Sequence, residues 1–227
     1  MTKMNYYGAG LPYLETEDLP GKLIVLEGND GVGRSTQISL LRKYFEESGF
    51  GVSDTGLTRS PLTQPGLDAA KEGHTLGSLT MSLFYATDFA DRLENRIIPA
   101  LKAGFIVLSD RYFFSTIARD QVRGASPDWA KKLYGFALVP DMIFYLKADI
   151  ETLVSRIIHG RGFSYWESGM DILKTGNLYD NFVQYQNEMT AQFSEMIKEY
   201  NMIEIDANCP VDDVFEDLKT QINTLFT

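Results

Sequence analysis

Nine residues constrain this chain more than any others: Gly28-Asn29-Asp30-Gly31-Val32-Gly33-Arg34-Ser35-Thr36, set directly after the apolar run 23–26. Their spacing matches the phosphate-binding pattern G-x-x-x-x-G-K-[ST], except that Arg34 stands where the pattern has lysine. Glycines let the backbone curl so that successive N–H groups point inward. A helix beginning near Arg34 adds its positive end, and the Ser35 hydroxyl can ligate Mg²⁺. The loop therefore predicts a cradle for a nucleotide polyphosphate, with residues 28–36 as its wall. Arginine keeps the charge of lysine, but its planar fork is not equivalent to a compact ammonium. Two other readings stay open: a glycine-rich turn with no ligand, and a cradle that binds nucleotide but turns it over poorly.

Five apolar runs, at 23–26, 51–57, 105–108, 142–146 and 202–205, read as strands. All but the second are near-continuous, as in parallel strands covered on both faces. Helical spacing fills the intervals. Ile38, Leu41 and Phe45 mark one face; Leu79, Leu83 and Ala86 begin another that continues through Leu93 and Ile97 to about Lys102; 185–200 and 211–225 are two more. This alternation predicts an α/β fold, a doubly wound five-stranded parallel sheet flanked by helices, with ligands at the carboxyl ends of the strands. Nothing in the composition splits residues 22–227 into two domains. Residues 1–21 are expected to be an extension on the surface, and the glycine-rich stretch 159–176 a mobile loop.

The net charge is −10, so an anion must be held by a local site and a duplex-binding face is not expected. One candidate for such a site is Asp110-Arg111 at the end of the third run: the carboxylate can hold Mg²⁺ and the guanidinium can clamp a phosphate. Alone, the pair reads equally well as a structural salt bridge. A GTPase is a poor reading, because Phe113 stands three positions after Asp110 where glycine would be needed, and no Asn-Lys-x-Asp is present. Two histidines (His74 and His159) and the single Cys209 make no zinc cluster and no internal disulfide. No run approaches the about 20 apolar residues of a membrane span. The first residues lack the apolar stretch of a secretory signal, so the cytoplasm is the expected location.

In this order the pieces resemble the thymidylate kinases, from about Lys22 to the C-terminus. The family's opening run is similar to Leu26-Glu27-Gly28-Asn29-Asp30-Gly31-Val32-Gly33-Arg34-Ser35-Thr36-Gln37. Its Thr-Arg-Glu-Pro loop resembles Thr58-Arg59-Ser60-Pro61, and its Phe-Ala-x-Asp-Arg core Tyr85-Ala86-Thr87-Asp88-Phe89. Its Asp-Arg-Tyr strand end is similar to Asp110-Arg111-Tyr112, followed by Ser115 and Thr116, and its Arg-Pro-Asp segment to Val139-Pro140-Asp141. The resemblance implies a P-loop nucleoside monophosphate kinase with a lid near 157–176, ATP and Mg²⁺ as cofactors, and dTMP as acceptor. Asp30 would face the acceptor sugar and the metal; Arg59 and Arg111 would hold the acceptor phosphate; Tyr85 would stack on the pyrimidine. Ser35 and Asp110 would hold Mg²⁺, with Arg34, Asp30, Arg111 and the lid's Arg161 as the catalytic set and Arg156 assisting. It also implies a homodimer packed through the helix at 78–102.

Several positions depart from the family. Phe89 replaces an arginine that hydrogen-bonds the base, Thr116 stands for a polar residue often asparagine, and Arg119 replaces a tyrosine set against the sugar. Arg92, one turn beyond Phe89, is a candidate substitute, and Trp166 stands near the expected second lid arginine. These departures keep two alternatives open: a kinase for UMP or dUMP, and a nucleotide-binding protein with little turnover.

Overall fold

Lys22–Gly28 (β1) carries Leu23, Ile24, Val25 and Leu26, four apolar side chains in sequence, and all four are fully buried. A strand apolar on both faces must be covered on both. In the computed structural model, which describes residues 6–13, 19–73, 75–173 and 176–226, the cover comes from helices. Leu23 and Val25 face a core built with Phe89, Phe113, Phe114, Tyr185 and Phe193. Ile24 and Leu26 face the opposite core, with Leu41, Phe45, Leu153 and Leu218. This alternation is the period-2 pleat of a strand.

The elements follow in order: α1 (Arg34–Glu47), β2 (Val52–Gly56), α2 (Gln64–Gly73), α3 (Ser78–Arg92), a π-helical turn (Leu93–Ile97), α4 (Ile98–Lys102), β3 (Ile106–Asp110), α5 (Phe113–Val122), α6 (Pro127–Leu133), β4 (Met142–Lys147), α7 (Ile150–His159), α8 (Leu178–Glu199), β5 (Ile203–Asp206) and α9 (Val211–Asn223). The strands form one parallel sheet in the order β2-β3-β1-β4-β5, with helices on both faces, so the doubly wound five-stranded architecture holds.

Two expectations need correction. Ala86, Leu93 and Ile97 do face the core, but Leu79 and Leu83 are 61% and 45% exposed, and the buried face of α3 is instead Met81, Ser82, Tyr85, Asp88, Phe89 and Arg92. Polar residues that pair inside the core disguise that stripe. The π-helical turn shifts it again: Ile98 donates to Leu93, five residues back, and the following Pro99 has no N–H to continue the ladder. Of the expected extension, residues 1–5 and 14–18 lie outside the described residues. Residues 6–10 do not simply rest on the surface: Tyr7 and Gly10 amides bond to Ala137 and Gly135 carbonyls, and the Tyr7 ring meets Phe113, Phe114 and Tyr200 edge-on. His74 and residues 174–175 also lie outside the described residues.

Candidate active site

The register decides which loops meet. Leu26 of β1 and Gly56 of β2 both pair with Asp110 of β3, so three strand ends finish side by side and the loops after them share one crevice. That crevice lies at the carboxyl edge of the sheet, where β1 is flanked by chain segments leaving in opposite directions.

The loop after β1 is shaped by its glycines. Gly28 has φ 143°, and a Cβ there would stand 2.6 Å from the Leu146 carbonyl oxygen, so no other residue fits without displacing β4. Gly33 has φ 103°, a left-handed conformation, and a Cβ there would meet nothing within 4 Å. No side chain caps α1, so its first backbone N–H groups are left for a ligand. Asn29 is pinned from three sides: its amide donates to the Gln186 carbonyl and the Thr190 hydroxyl, and accepts from the Tyr145 hydroxyl at 3.0 Å.

Arg34 turns along the loop. Its Nη1 donates to the Gly28 and Asn29 carbonyls at 2.7 and 2.6 Å, its Nε to Asp110 Oδ1 at 2.9 Å, and Nη2 has no hydrogen bond among the described residues. The Ser35 hydroxyl donates to the other Asp110 oxygen at 2.7 Å. Ser35 and Asp110 thus stand together as a hydroxyl and carboxylate pair, hard oxygen donors of the kind Mg²⁺ takes alongside phosphate oxygens. Burial alone would raise the Asp110 pKa, but Arg34, Ser35 and Arg111 outweigh it and hold the carboxyl below its usual range. Among the described residues no set of three or more His, Cys, Asp or Glu forms a metal cage.

Arg111 is buried and has φ 70°, a strained position for a non-glycine residue, held by its amide on the Leu26 carbonyl and the Ser109 hydroxyl on its own carbonyl. Its guanidinium spans Asp30, the Gly28 carbonyl and Ser115. Burial and the neighbouring Arg34 bring its pKa down to about 10. Burial would raise Asp30, yet Arg111, Arg119 and Arg34 hold it far below the usual carboxylate range, with Gln186 Nε2 donating to its second oxygen at 3.3 Å. Arg119 Nη2 lies 3.5 Å from Asp30; burial works against its charge, but Asp30 and other neighbours raise its pKa.

These groups line a cleft of about 640 Å³ that also takes in Thr58, Arg59, Lys71, Arg161 and Glu167. It holds six cations (Arg34, Arg59, Lys71, Arg111, Arg119 and Arg161) against three carboxylates (Asp30, Asp110 and Glu167), in a chain whose net charge is −10. An excess of positive charge has been concentrated in one concavity. Lys71, Arg119 and Glu167 also line an adjoining compartment of about 360 Å³, walled by Tyr85, Met81 and Trp166. Arg59 reaches Asp54 at 2.9 Å and is partly exposed; Arg161 is exposed and pairs with Glu167 at 2.5 Å. The segment expected to be a mobile lid runs as turns at 160–173 and closes over this compartment, with Gln186 Nε2 donating to the Glu167 carbonyl and Trp166 packing on the cluster of Leu67, Met81 and Tyr85.

Several expected site residues lie elsewhere. Phe89 is fully buried among Tyr112, Phe113, Tyr134 and Phe136; it is a core residue, and the absence of an arginine there opens no gap in the cleft. Thr116 is likewise buried, its hydroxyl donating to the Phe113 carbonyl at 2.6 Å. Arg92 cannot substitute as a base reader, because its Nε is locked on buried Asp88 at 2.8 Å. Arg156 supports the loop from behind, donating to the Val32 and Ala207 carbonyls. Asp88, Lys71, Glu167 and Gln186 went unrecognised in the sequence. Only Asp88 carried a signal, its place in the Tyr85–Phe89 run. Buried Glu27 was also missed as a support: its carboxylate accepts from the Tyr112 amide and from Ser115, and burial raises its pKa.

Known proteins give the same picture. The family model described as thymidylate kinase matches residues 26–218. The chain is 39% identical over 204 residues to the probable thymidylate kinase 2 of Saccharolobus solfataricus, covering 88% of this chain and 94% of that protein. It is 32% identical over 218 residues to the thymidylate kinase of Caldicellulosiruptor saccharolyticus, covering 91% and 98%, and 30% identical over 208 residues to the probable thymidylate kinase of Thermococcus gammatolerans, covering 87% and 94%. With the phosphate loop, the sheet order and the cationic cleft all in place, the chain belongs to the thymidylate kinase family.

Proposed function

We propose that this protein transfers the γ-phosphoryl group of ATP to dTMP, giving dTDP and ADP. The observation that carries the reading is the cleft itself, in which the loop amides, Arg34 and Arg111 gather around the Gly28 carbonyl and Arg59, Lys71, Arg119 and Arg161 complete the cationic lining. ATP lies with its phosphates along residues 28–36. The acceptor phosphate lies against Arg59 and Arg111, and its pyrimidine enters the compartment beside Tyr85. The bond from the γ-phosphorus to the β-bridging oxygen breaks as one forms to the acceptor phosphate oxygen. No protein nucleophile is needed; alignment and compensation of developing charge carry the step. Ser35 and Asp110 would hold a Mg²⁺ ion, which would supply charge neutralisation to the polyphosphate. Asp30 holds Arg111 and Arg119 in register, and Arg161 closes from the lid. Of the two departures that motivate the UMP and dUMP alternative, Phe89 does not border the site and Arg119 does.

The test is a panel of nucleoside monophosphates offered with ATP and Mg²⁺, with ADP and the diphosphate product quantified by chromatography. Turnover is expected to be best on dTMP. A better ribonucleotide, or ATP binding without product from any acceptor, would refute the reading.

A homodimer is proposed through α3, which exposes Leu79 and Leu83 one turn apart. Light scattering should give twice the chain mass for the native protein and a single-chain mass for Leu83→Glu; a native monomer would contradict the proposal. Among the described residues no helix is long and apolar enough to cross a membrane, and the cytoplasm is the proposed location.

A further inference from the structure

Six cations line the outer cleft, and five of them already have a carboxylate. Arg34 pairs with Asp110, Arg59 with Asp54, Arg111 and Arg119 with Asp30, and Arg161 with Glu167. Lys71, near the C-terminal end of α2, is the exception. Among the described residues no carboxylate pairs with its ammonium and no oxygen accepts a hydrogen bond from it. The ammonium rests instead over an aromatic ring, with Nζ 5.4 Å from the ring centre of Tyr85 on α3. Lys71 is half-buried, so water weakens this cation–π attraction below a charge-assisted hydrogen bond to phosphate. An anion that reaches the cleft can therefore take the ammonium from the ring.

Position says which anion. Lys71 lines the outer cleft with Arg59 and Arg111, and the inner compartment with Tyr85. It stands at the junction between the place assigned to the acceptor phosphate and the ring assigned to its pyrimidine. Arg111 and Arg119 are fixed by Asp30, whereas Lys71 carries a point charge on a flexible four-carbon stem, which suits a cation that moves. We propose that Lys71 is a movable third ligand of the acceptor phosphate. It rests on Tyr85 until a pyrimidine takes that ring, then swings to the phosphate beside Arg59 and Arg111. Only an acceptor that carries both base and phosphate completes the exchange. This rests on the kinase reading above and adds a residue that couples the two halves of the acceptor.

The test is calorimetric titration of the full chain with dTMP and, separately, with thymidine, which keeps the base and sugar but lacks the phosphate. Lys71→Met keeps the stem and removes the charge. In that variant dTMP affinity is expected to fall about 30-fold, the effect of losing one charge-assisted hydrogen bond. Thymidine affinity should hold or rise, because the ring is freed, and ATP affinity should not change. Lys71→Arg should recover most of the dTMP loss, since it restores a cation on a long stem. An unchanged dTMP affinity in Lys71→Met overturns the proposal, as does a loss that Lys71→Arg does not recover. An equal loss for dTMP and thymidine also overturns it, and would make Lys71 a wall of the compartment and no more. If Lys71→Met does not fold, the native protein decides. Acetylation of Lys71, mapped by mass spectrometry, should be slowed by dTMP and not by thymidine; equal protection, or none, overturns the proposal. A native chain that binds no dTMP strikes the kinase reading and this inference together; native dTMP binding with an unchanged variant strikes this inference alone.

Discussion

Replacing Arg34 by alanine is expected to lower kcat by about 1,000-fold, the scale on which positioned cations act in phosphoryl transfer. Three contacts are lost at once: the clamp on the Gly28 and Asn29 carbonyls and the ion pair to Asp110. Without the first two, the loop amides lose the side chain that fixes their curl. Without the third, Asp110 loses the foremost cation opposing its burial, and its pKa rises from its depressed position. Arg34 lies at the cleft wall, so its truncation opens no cavity in either core. Arg34→Lys should recover most of the loss, since it restores the ammonium common to the motif, but it cannot span Asp110 and both carbonyls with one planar fork. Steady-state assays at saturating ATP and acceptor decide the matter. Near-normal turnover in Arg34→Ala would remove this residue from phosphate handling.

The second large effect is on stability. Asp88 is fully buried and receives four hydrogen bonds: from the Thr58 amide at 3.1 Å, the Ser60 amide at 2.9 Å, the Thr63 hydroxyl at 3.3 Å and Arg92 Nε at 2.8 Å. Asp88→Ala leaves Arg92 charged, buried and unpaired, a change that costs about 3–5 kcal/mol. For a chain of this size that lowers the melting temperature by about 10 °C. The damage extends to function, because Thr58 is held at φ 59°, an unusual conformation for a β-branched residue, and Arg59 follows it. Acceptor KM should rise with little change in ATP KM. Calorimetry showing an unchanged melting temperature would contradict the role assigned to the pair.

The same pair explains where sequence reading stopped. The strands were legible because β1, β3 and β4 are apolar without interruption, and the phosphate loop because its glycines are dictated by local backbone geometry. The face of α3 was not. Asp88 carries no assigned role in the sequence and Arg92 reads as a candidate base reader, although each is the buried partner of the other, while Leu79 and Leu83 read as one helix face with Ala86 and are exposed. Phe89 was drawn into the site by its place beside Asp88, yet helix rotation turns it inward against Tyr112. Gln186 and Glu167 reach the site from segments distant in sequence and carry no local motif. The contacts of Gln186 with Asp30 and with the Glu167 carbonyl exist only once α8 has packed beside the loop. Long-range polar contacts of this kind leave no periodicity to read.

The most direct test of the account is calorimetric titration with a bisubstrate analogue in which five phosphates join adenosine to thymidine. Donor and acceptor phosphates sharing the one cationic cleft, as proposed, predict one molecule bound per chain, far more tightly than ATP or dTMP alone, and displaced by either. Binding no tighter than that of a single nucleotide, or two analogues per chain, would mean that the loop and the Arg59–Arg111 wall do not face a common reaction centre.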